Sequence, residues 1–257
     1  MDQQQLLRQL AALSTLPRPI LGHEVSLPNY AIGIFHQHPW YQLSYATQGV
    51  VTVKSAKGHF VAPPNQAVLV PPGVAHGVHC TPDTCIRSLY IAADTLPWQQ
   101  CQVLEIDGLL RELIVAFSLF PVEYDEAGAE GRLVAVLLDR LRLAKSWDLM
   151  LPWPQDARLT PLCHYLAAHP DCRLPLRHFS DELGVSDKTL SRAFLRHTGM
   201  SFRQWRQRSR LLAALPLLEA GERVTDVALA CGYDSLSAFI VAFKELLGTT
   251  PGDYLSS

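Results

Sequence analysis

Two histidines stand one residue apart in the stretch IFHQHPWYQLSYATQG, residues 34–49, followed by Gln42 and Gly49. If the stretch is a strand, its side chains alternate between faces. The imidazoles of His36 and His38 then point the same way, with Trp40 and Gln42 beside them. Such a pair can ligate a metal, line a pocket for another ligand or fill a core, and the spacing alone leaves the three open. A second chemical feature lies far downstream. From Lys188 to Leu218 there are seven Lys or Arg (Lys188, Arg192, Arg196, Arg203, Arg206, Arg208 and Arg210) and no Asp or Glu. A cationic run without acids, in a chain of formal net charge −2, is a local patch suited to a nucleic acid.

The elements that position these groups come from 257 residues, enough for one large or two ordinary domains. Hydrophobic residues make up 48% and charged residues 18%, a balance that supports a sizeable core and argues against disorder. No apolar run approaches the length of a membrane span, so no membrane partner is expected. The opening MDQQQLLRQLAALSTLPRP lacks a basic segment followed by an apolar run. It reads as a short amphipathic helix ending at Pro17 rather than as a signal peptide. Six cysteines (80, 85, 101, 163, 172 and 231) are irregularly spaced with no C-x-x-C pair, as expected of reduced thiols in a cytoplasmic protein.

Two periodicities divide the chain. Residues 22–100 read as short strands rich in Val, Tyr and Thr, broken by Gly, Pro and Asn, which suggests a sandwich or closed barrel. Near residue 106 the apolar spacing becomes helical, in IDGLLRELIVAFSLF and GRLVAVLLDRLRLAKSW. These two helices can pack on the barrel or on a second copy of themselves, as a dimer interface. MLPWPQDARLTP (150–161) carries three prolines and reads as a linker, and from Leu159 onward the pattern is helical. The expected layout is α+β and multidomain: a barrel over 1–105, a helical dimerisation segment over 106–149, a linker at 150–158 and an all-α domain over 159–257.

The last domain holds an internal repeat. LGVSDKTLSRAFLRHTGMSFRQW (183–205) resembles CGYDSLSAFIVAFKELLGTTPGDY (231–254), with Gly184 against Gly232. After a one-residue insertion, Leu190, Ala193, Phe194, Gly199 and Trp205 match Phe239, Ala242, Phe243, Gly248 and Tyr254, each 49 residues on. In each copy a short helix ends at Gly, a turn follows and a second helix starts. This predicts helix-turn-helix units at about 176–197 and 225–246. Ser186 is placed to cap the helix at Asp187. Along that helix Leu190, Ala193 and Phe194 share one face, while Lys188, Ser191, Arg192 and Leu195 share another that can enter a major groove. Lys and Arg there can bond guanine O6 and N7.

On these motifs, residues 158–257 resemble the DNA-binding domain of the AraC/XylS family of transcription regulators. The carrying residues are SDKTLSRAFLRHTGMSFRQWRQRSRLLAALPLLEAG and VTDVALACGYDSLSAFIVAFKELLGTTPGDY. The resemblance implies double-stranded DNA as a partner, with Lys188, Ser191 and Arg192 reading bases from the first recognition helix. At the 49-residue offset stand Ser237, Ile240 and Val241, a face without a cation, from which Ser237 and Val241 would contact bases. Arg196, Arg203, Arg208 and Lys244 are the expected phosphate contacts. Pro216 lies inside the connecting helix, where a proline predicts a kink or a break.

The first half resembles the cupin-type sensor domain that members of this family carry. His36, His38 and Gly49 fit the first cupin motif with Gln42 in place of Glu. Pro71, Gly73 and His76 fit the second, while Asn65 and Cys80 depart from it. The resemblance implies an effector pocket lined by His36, His38, Trp40, Gln42 and His76. It also implies a divalent transition-metal site made by His36, His38, Gln42 and His76, with His59 and His79 as substitute ligands. An alternative reading is a cupin metalloenzyme with an accessory helical domain. The missing Glu, and the lack of any acid between Glu24 and Asp83, speak against it. The expectation is therefore not an enzyme but a ligand-responsive, sequence-specific promoter-binding activator or repressor. It would be dimeric through residues 106–145, with a small molecule or metal as effector and RNA polymerase as a further partner.

Overall fold

The computed structural model describes residues 16–22, 33–82 and 84–256; the helix expected at the N-terminus lies outside them. The chain divides into two compact units, residues 1–55 with 60–148 and residues 56–59 with 149–257.

The first unit is built on antiparallel strands. β1 is Ile20–Leu21, β2 Tyr41–Ala46, β3 Val51–Ser55, β4 Gly58–Ala62, β5 Gln66–Val70, β6 His76–Cys80, β7 Ile86–Ile91, β8 Gln102–Glu105 and β9 Ser146–Trp147. One sheet runs in the order β1-β7-β2-β5-β8-β9, and the second places β3 between β4 and β6. The helical segment that follows decides which face of the larger sheet is covered. β2 sits in mid-sheet between β5 and β7 and is buried along its whole length. Its alternation sends Tyr41, Leu43 and Tyr45 into a core shared with Ala67, Leu69, Leu89 and Leu104. Gln42 and Ser44 therefore take the other face.

Two helices close that core, α1 at Gly108–Phe117 and α2 at Ala129–Leu143. Asp107 caps α1 by accepting from the Leu110 N–H at 2.8 Å. The helices contribute Leu110, Ile114, Phe117, Val134, Leu137, Leu138 and Leu141 to the core. Of the two partners the sequence left open for them, their apolar stripes thus take the sheet. Leu109, Val136 and Leu143 remain outside the stripe and are 55%, 46% and 76% exposed.

The second unit starts earlier than a linker at 150–158 implies. β10, Met150–Pro152, runs beside the 56–59 hairpin tip, and the Trp153 N–H donates to Lys57 O at 3.1 Å. Leu149, Leu151 and Trp153 are buried. The segment expected as a linker is instead a packed strap, because three large apolar side chains within five residues find a core to fill. The helices that follow are α3 (Leu159–Ala168), α4 (Leu176–Glu182), α5 (Asp187–Thr198), α6 (Phe202–Glu219), α7 (Val224–Ala230), α8 (Leu236–Leu247) and α9 (Pro251–Leu255). The two helix pairs, α4–α5 and α7–α8, are the expected repeats.

Each second helix of a pair is built alike. Ser186 accepts from Thr189 N–H and Ser235 from Ala238 N–H at the N-caps. Gly199 and Gly248 end them at φ of 70° and 71°, the left-handed cap that a side chain disfavours. α6 joins the pairs and starts from a capping box made by Ser201 and Gln204. Of the kink or break expected at Pro216, the break is not found, since α6 runs through it to Glu219. It lies in the closing part of the helix, where the lost N–H costs one bond and the Ala220 N–H still reaches Pro216 O at 3.0 Å.

Trp205 anchors this unit. It is fully buried, its Nε1–H donates to Pro152 O at 2.7 Å, and its ring lies 6.2 Å from Phe194 and 5.9 Å from Trp153. Truncation removes an indole from a closed core and orphans a carbonyl, so Trp205→Ala is expected to cost about 3–5 kcal/mol. In a thermal melt with separate reporters, the helical unit's transition should fall while that of the strand-rich unit stays in place. Equal shifts in both would contradict the assignment of the strap to the second unit.

Candidate functional site

The imidazoles meet by a route that simple strand alternation does not describe. His36 is not in a strand, a correction to the expected one, because β2 begins only at Tyr41. Pro39 lacks the N–H that would continue a ladder. His36 instead makes one β-bridge to His76, each N–H donating to the other's carbonyl at 2.9 Å. The Gly73 N–H donates to His38 O at 2.9 Å, which ties the Pro-x-Gly turn to the first motif. These bonds bring the rings of His36 and His76 to 4.5 Å, and those of His38 and His76 to 5.1 Å. The potential ligand atoms of His36, His38 and His76 all lie within 4.8 Å of one another.

Backbone carbonyls set the tautomer of every ring. A carbonyl only accepts, so the contacts to Ile34 O (2.9 Å), Trp40 O (2.9 Å) and Val74 O (2.8 Å) require a proton on Nδ1 of His36, His38 and His76. Burial disfavours a second proton. It lowers the pKa of His36 and His38 and pushes that of His76 down to about 3. All three are therefore neutral near pH 7 and carry a lone pair on Nε2. Gln42 Oε1 lies 3.0 Å from Nε2 of both His38 and His76, while its Nε2 donates to Ser44 Oγ at 3.3 Å.

That leaves acceptors facing acceptors, with no proton between them. Turning the amide over supplies two N–H groups to His38 and His76 and an oxygen to Ser44. It still leaves Nε2 of His36, which is buried and has no hydrogen-bond partner among the described residues. A divalent cation resolves all of these contacts at once, since imidazole nitrogens whose far N–H groups are held by carbonyls are the usual preorganised ligands of late transition metals. The residues thus fit such an ion. The one anionic position of the cupin pattern is neutral here, and residues 33–82 contain no Asp or Glu.

The surroundings are aromatic. Trp40, only 2% exposed, stacks on His38 at 5.4 Å, and Tyr90 meets His38 and Trp40 edge-on. Tyr90 was not legible as a neighbour, because it enters through the pairing of β7 with β2 opposite Gln42. The substitute ligands are not brought in. His59 stacks on Trp153 in the second unit, and His79 sits opposite Thr52 in β6, outside the cluster.

The residues expected to contact DNA are in the second unit. Lys188, Ser191 and Arg192 on α5 are exposed, as are Ser237 and Val241 on α8. Leu190 and Phe194 are buried, with Phe239 and Phe243 in the equivalent places. Arg196, Arg203 and Lys244 are exposed as well, Arg196 with Nη2 against His197 Nε2 at 3.1 Å. Arg208 differs from expectation. Its Nε–H is held by Met150 O at 2.6 Å, so it braces the strap. Arg206 donates to Leu174 O, and Arg210 to Pro170 O and Cys172 O, at 2.7–2.8 Å. Part of the basic run is thus structural. No periodicity reveals this, because the acceptors are anonymous backbone carbonyls.

A buried ligand-type cluster in a strand-rich unit, with two helix-turn-helix units in a helical one, defines a DNA-binding regulator with a ligand-binding domain. Comparison with known proteins agrees: residues 19–138 match the AraC-like ligand binding domain, and residues 179–257 match a helix-turn-helix domain. The chain belongs to the AraC family of HTH-type transcriptional regulators. The regulator NimR of Escherichia coli (strain K12) is 34% identical over 223 residues, covering 86% of this chain and 81% of its own. RipA of Corynebacterium diphtheriae is 34% identical over 106 residues, covering 41% of this chain and 31% of its own. Among solved structures, ToxT of Vibrio cholerae covers 88% of this chain and 92% of its own at 12% identity, with a TM-score of 0.39. The DNA-binding domain of AdpA, solved with a target DNA, covers 39% and 92% at 27% identity, with a TM-score of 0.38. Among the described residues no helix is long and apolar enough to cross a membrane.

Proposed function

We propose that this regulator takes its signal at the cluster of His36, His38, Gln42 and His76, and that the resident ligand there is a late divalent transition ion. The observation that carries the reading is the convergence of three Nε2 lone pairs with their tautomers set by backbone carbonyls. Bound there, the ion would supply a fixed positive charge and open coordination positions; the chain's own residues orient the imidazoles and, through Trp40 and Tyr90, keep water away. The protein acts by binding rather than by catalysis, in the cytoplasm. It holds promoter DNA through Lys188, Ser191 and Arg192, with Arg196, Arg203 and Lys244 on phosphates. Ser237 and Val241 complete the base contacts. Leu109, Val136 and Leu143, exposed on α1 and α2, support a homodimer through residues 106–145. RNA polymerase is the partner through which promoter binding acts on transcription. Signal passes only if the ligand binds the DNA-competent arrangement with a different affinity from the incompetent one.

Elemental analysis of tagless protein purified without chelator tests the site. Near one equivalent of Zn, Ni or Cu is expected, and the His36→Ala/His38→Ala protein should hold none. Gln42→Glu, which restores an anionic donor, should bind the ion about ten-fold tighter or more. Metal-free protein that still binds its promoter and responds to an organic effector would assign the imidazoles to a metal-free pocket.

A further inference from the structure

The two recognition helices are superimposable in construction and opposite in chemistry. α5 and α8 are each twelve residues long, capped by Ser186 and Ser235 and closed by Gly199 and Gly248. Their buried anchors, Leu190 and Phe194 against Phe239 and Phe243, keep the same 49-residue offset. Register is therefore fixed by structure, and the outward positions correspond one to one. Lys188, Ser191, Arg192 and Leu195 on α5 become Ser237, Ile240, Val241 and Lys244 on α8. Arg196, beside the first stripe, becomes Glu245.

We infer that the halves of the binding site are read by different chemistry: guanine edges by Lys188 and Arg192 of α5, and thymine C5-methyl groups by Val241 and Ile240 of α8. This rests on promoter binding through both helix-turn-helix units and adds what each one recognises. Val241 is 58% exposed, and Ile240 is half-buried beside it, so the aliphatic patch stands where α5 presents a guanidinium. An aliphatic side chain cannot use the N7 and O6 acceptors of guanine, and in the major groove the apolar group offered to it is the thymine methyl. Ser237, exposed at the start of the same stripe, can donate to thymine O4 or to adenine N7.

The occupant of this patch is taken to be DNA because α8 continues an interface whose first half is cationic. α6 runs 18 residues between the helix pairs, about 27 Å at helical rise, a span of the same order as the roughly 34–36 Å of one duplex turn. Lys244 is the only cation along α8, and Glu245 replaces the phosphate-directed Arg196, so the second half contributes little to the salt dependence.

Site selection from a random duplex library by the full chain tests this. The enriched site should hold guanine in one half and thymine about one turn away. Replacing those thymines with deoxyuridine removes only the methyl groups and should weaken binding about four-fold per methyl. Val241→Ala should narrow the preference for thymine over uracil while keeping its preference for guanine in the other half. That retained preference shows the variant is folded. Equal affinity of the wild-type protein for thymine and uracil overturns the inference. So does a second half that selects guanine. So does a Val241→Ala protein that binds DNA unchanged but no longer regulates, which would give the patch to a protein partner. A library with no enriched site would sink promoter recognition itself, and this inference with it.

Discussion

Acidifying the metal-free protein from pH 6.5 toward pH 3 is expected to unfold the strand-rich unit while the helical unit is still intact. The sign follows from His76. Its pKa in the folded chain is about 3 against 6.5 for the ordinary imidazole, so between these values the unfolded chain binds a proton that the folded one refuses. Stability therefore falls as pH falls through that window, by about 1.4 kcal/mol per pH unit for one such group, and levels off below pH 3. His36 and His38 are shifted in the same direction by burial and add to the loss. In the helical unit the corresponding group is Asp156, which Arg158 holds down to about 2 from 3.8, so its contribution is lost only below that upper value. Circular dichroism at stepped pH, with and without excess Zn, should show two separate transitions. Saturating metal at a hundred times its dissociation constant adds about 2.7 kcal/mol at neutral pH. His76→Gln should flatten the first transition, and an unchanged acid profile in that variant would contradict the neutral-imidazole account.

Arg192→Ala is expected to weaken promoter binding roughly 10- to 100-fold and to relax selection at one guanine, the range for losing a bidentate base contact. Arg196→Ala should instead weaken all sequences alike and lower the salt slope by about one. Ser237→Ala removes a single hydroxyl from a helix with no other groove-facing hydrogen-bonding group at the reading positions, and should cost far less than Arg192→Ala. Fluorescence anisotropy at several salt concentrations separates the three. Equal losses for Arg192→Ala and Ser237→Ala would show that the two units share the work evenly.

Local order was readable where a pattern repeats along the chain. The 49-residue offset placed the second helix of each pair, because a capping serine, two buried aromatic or aliphatic anchors and a closing glycine recur at one spacing. The alternation around His36 and His38 gave the correct shared direction, although the backbone there is a bridge before β2 and not a strand. What stayed hidden depends on partners distant in sequence. The helices after residue 106 could equally have covered a sheet or a second copy, since an amphipathic stripe states only that it needs an apolar partner. The proline-rich strap at 150–158 looked like a linker because composition does not show that Trp205 is waiting for it 53 residues on.

The sequence by itself determined the class of this protein: a repeated helix-turn-helix pair, preceded by a strand-rich domain with histidines at ligand spacing. Residue type and periodicity carry that information, and both are local. Only the tertiary structure decided what the histidines present. The bonds from Nδ1 to Ile34, Trp40 and Val74 carbonyls, and the approach of Gln42 to two rings at once, are made by backbone groups that are the same at every position of a sequence. The same holds for Arg206, Arg208 and Arg210, which in sequence continue the basic face but in the fold spend their hydrogen bonds on carbonyls. Charge can be counted along a chain; whether it faces a groove or a backbone depends on what the fold puts beside it.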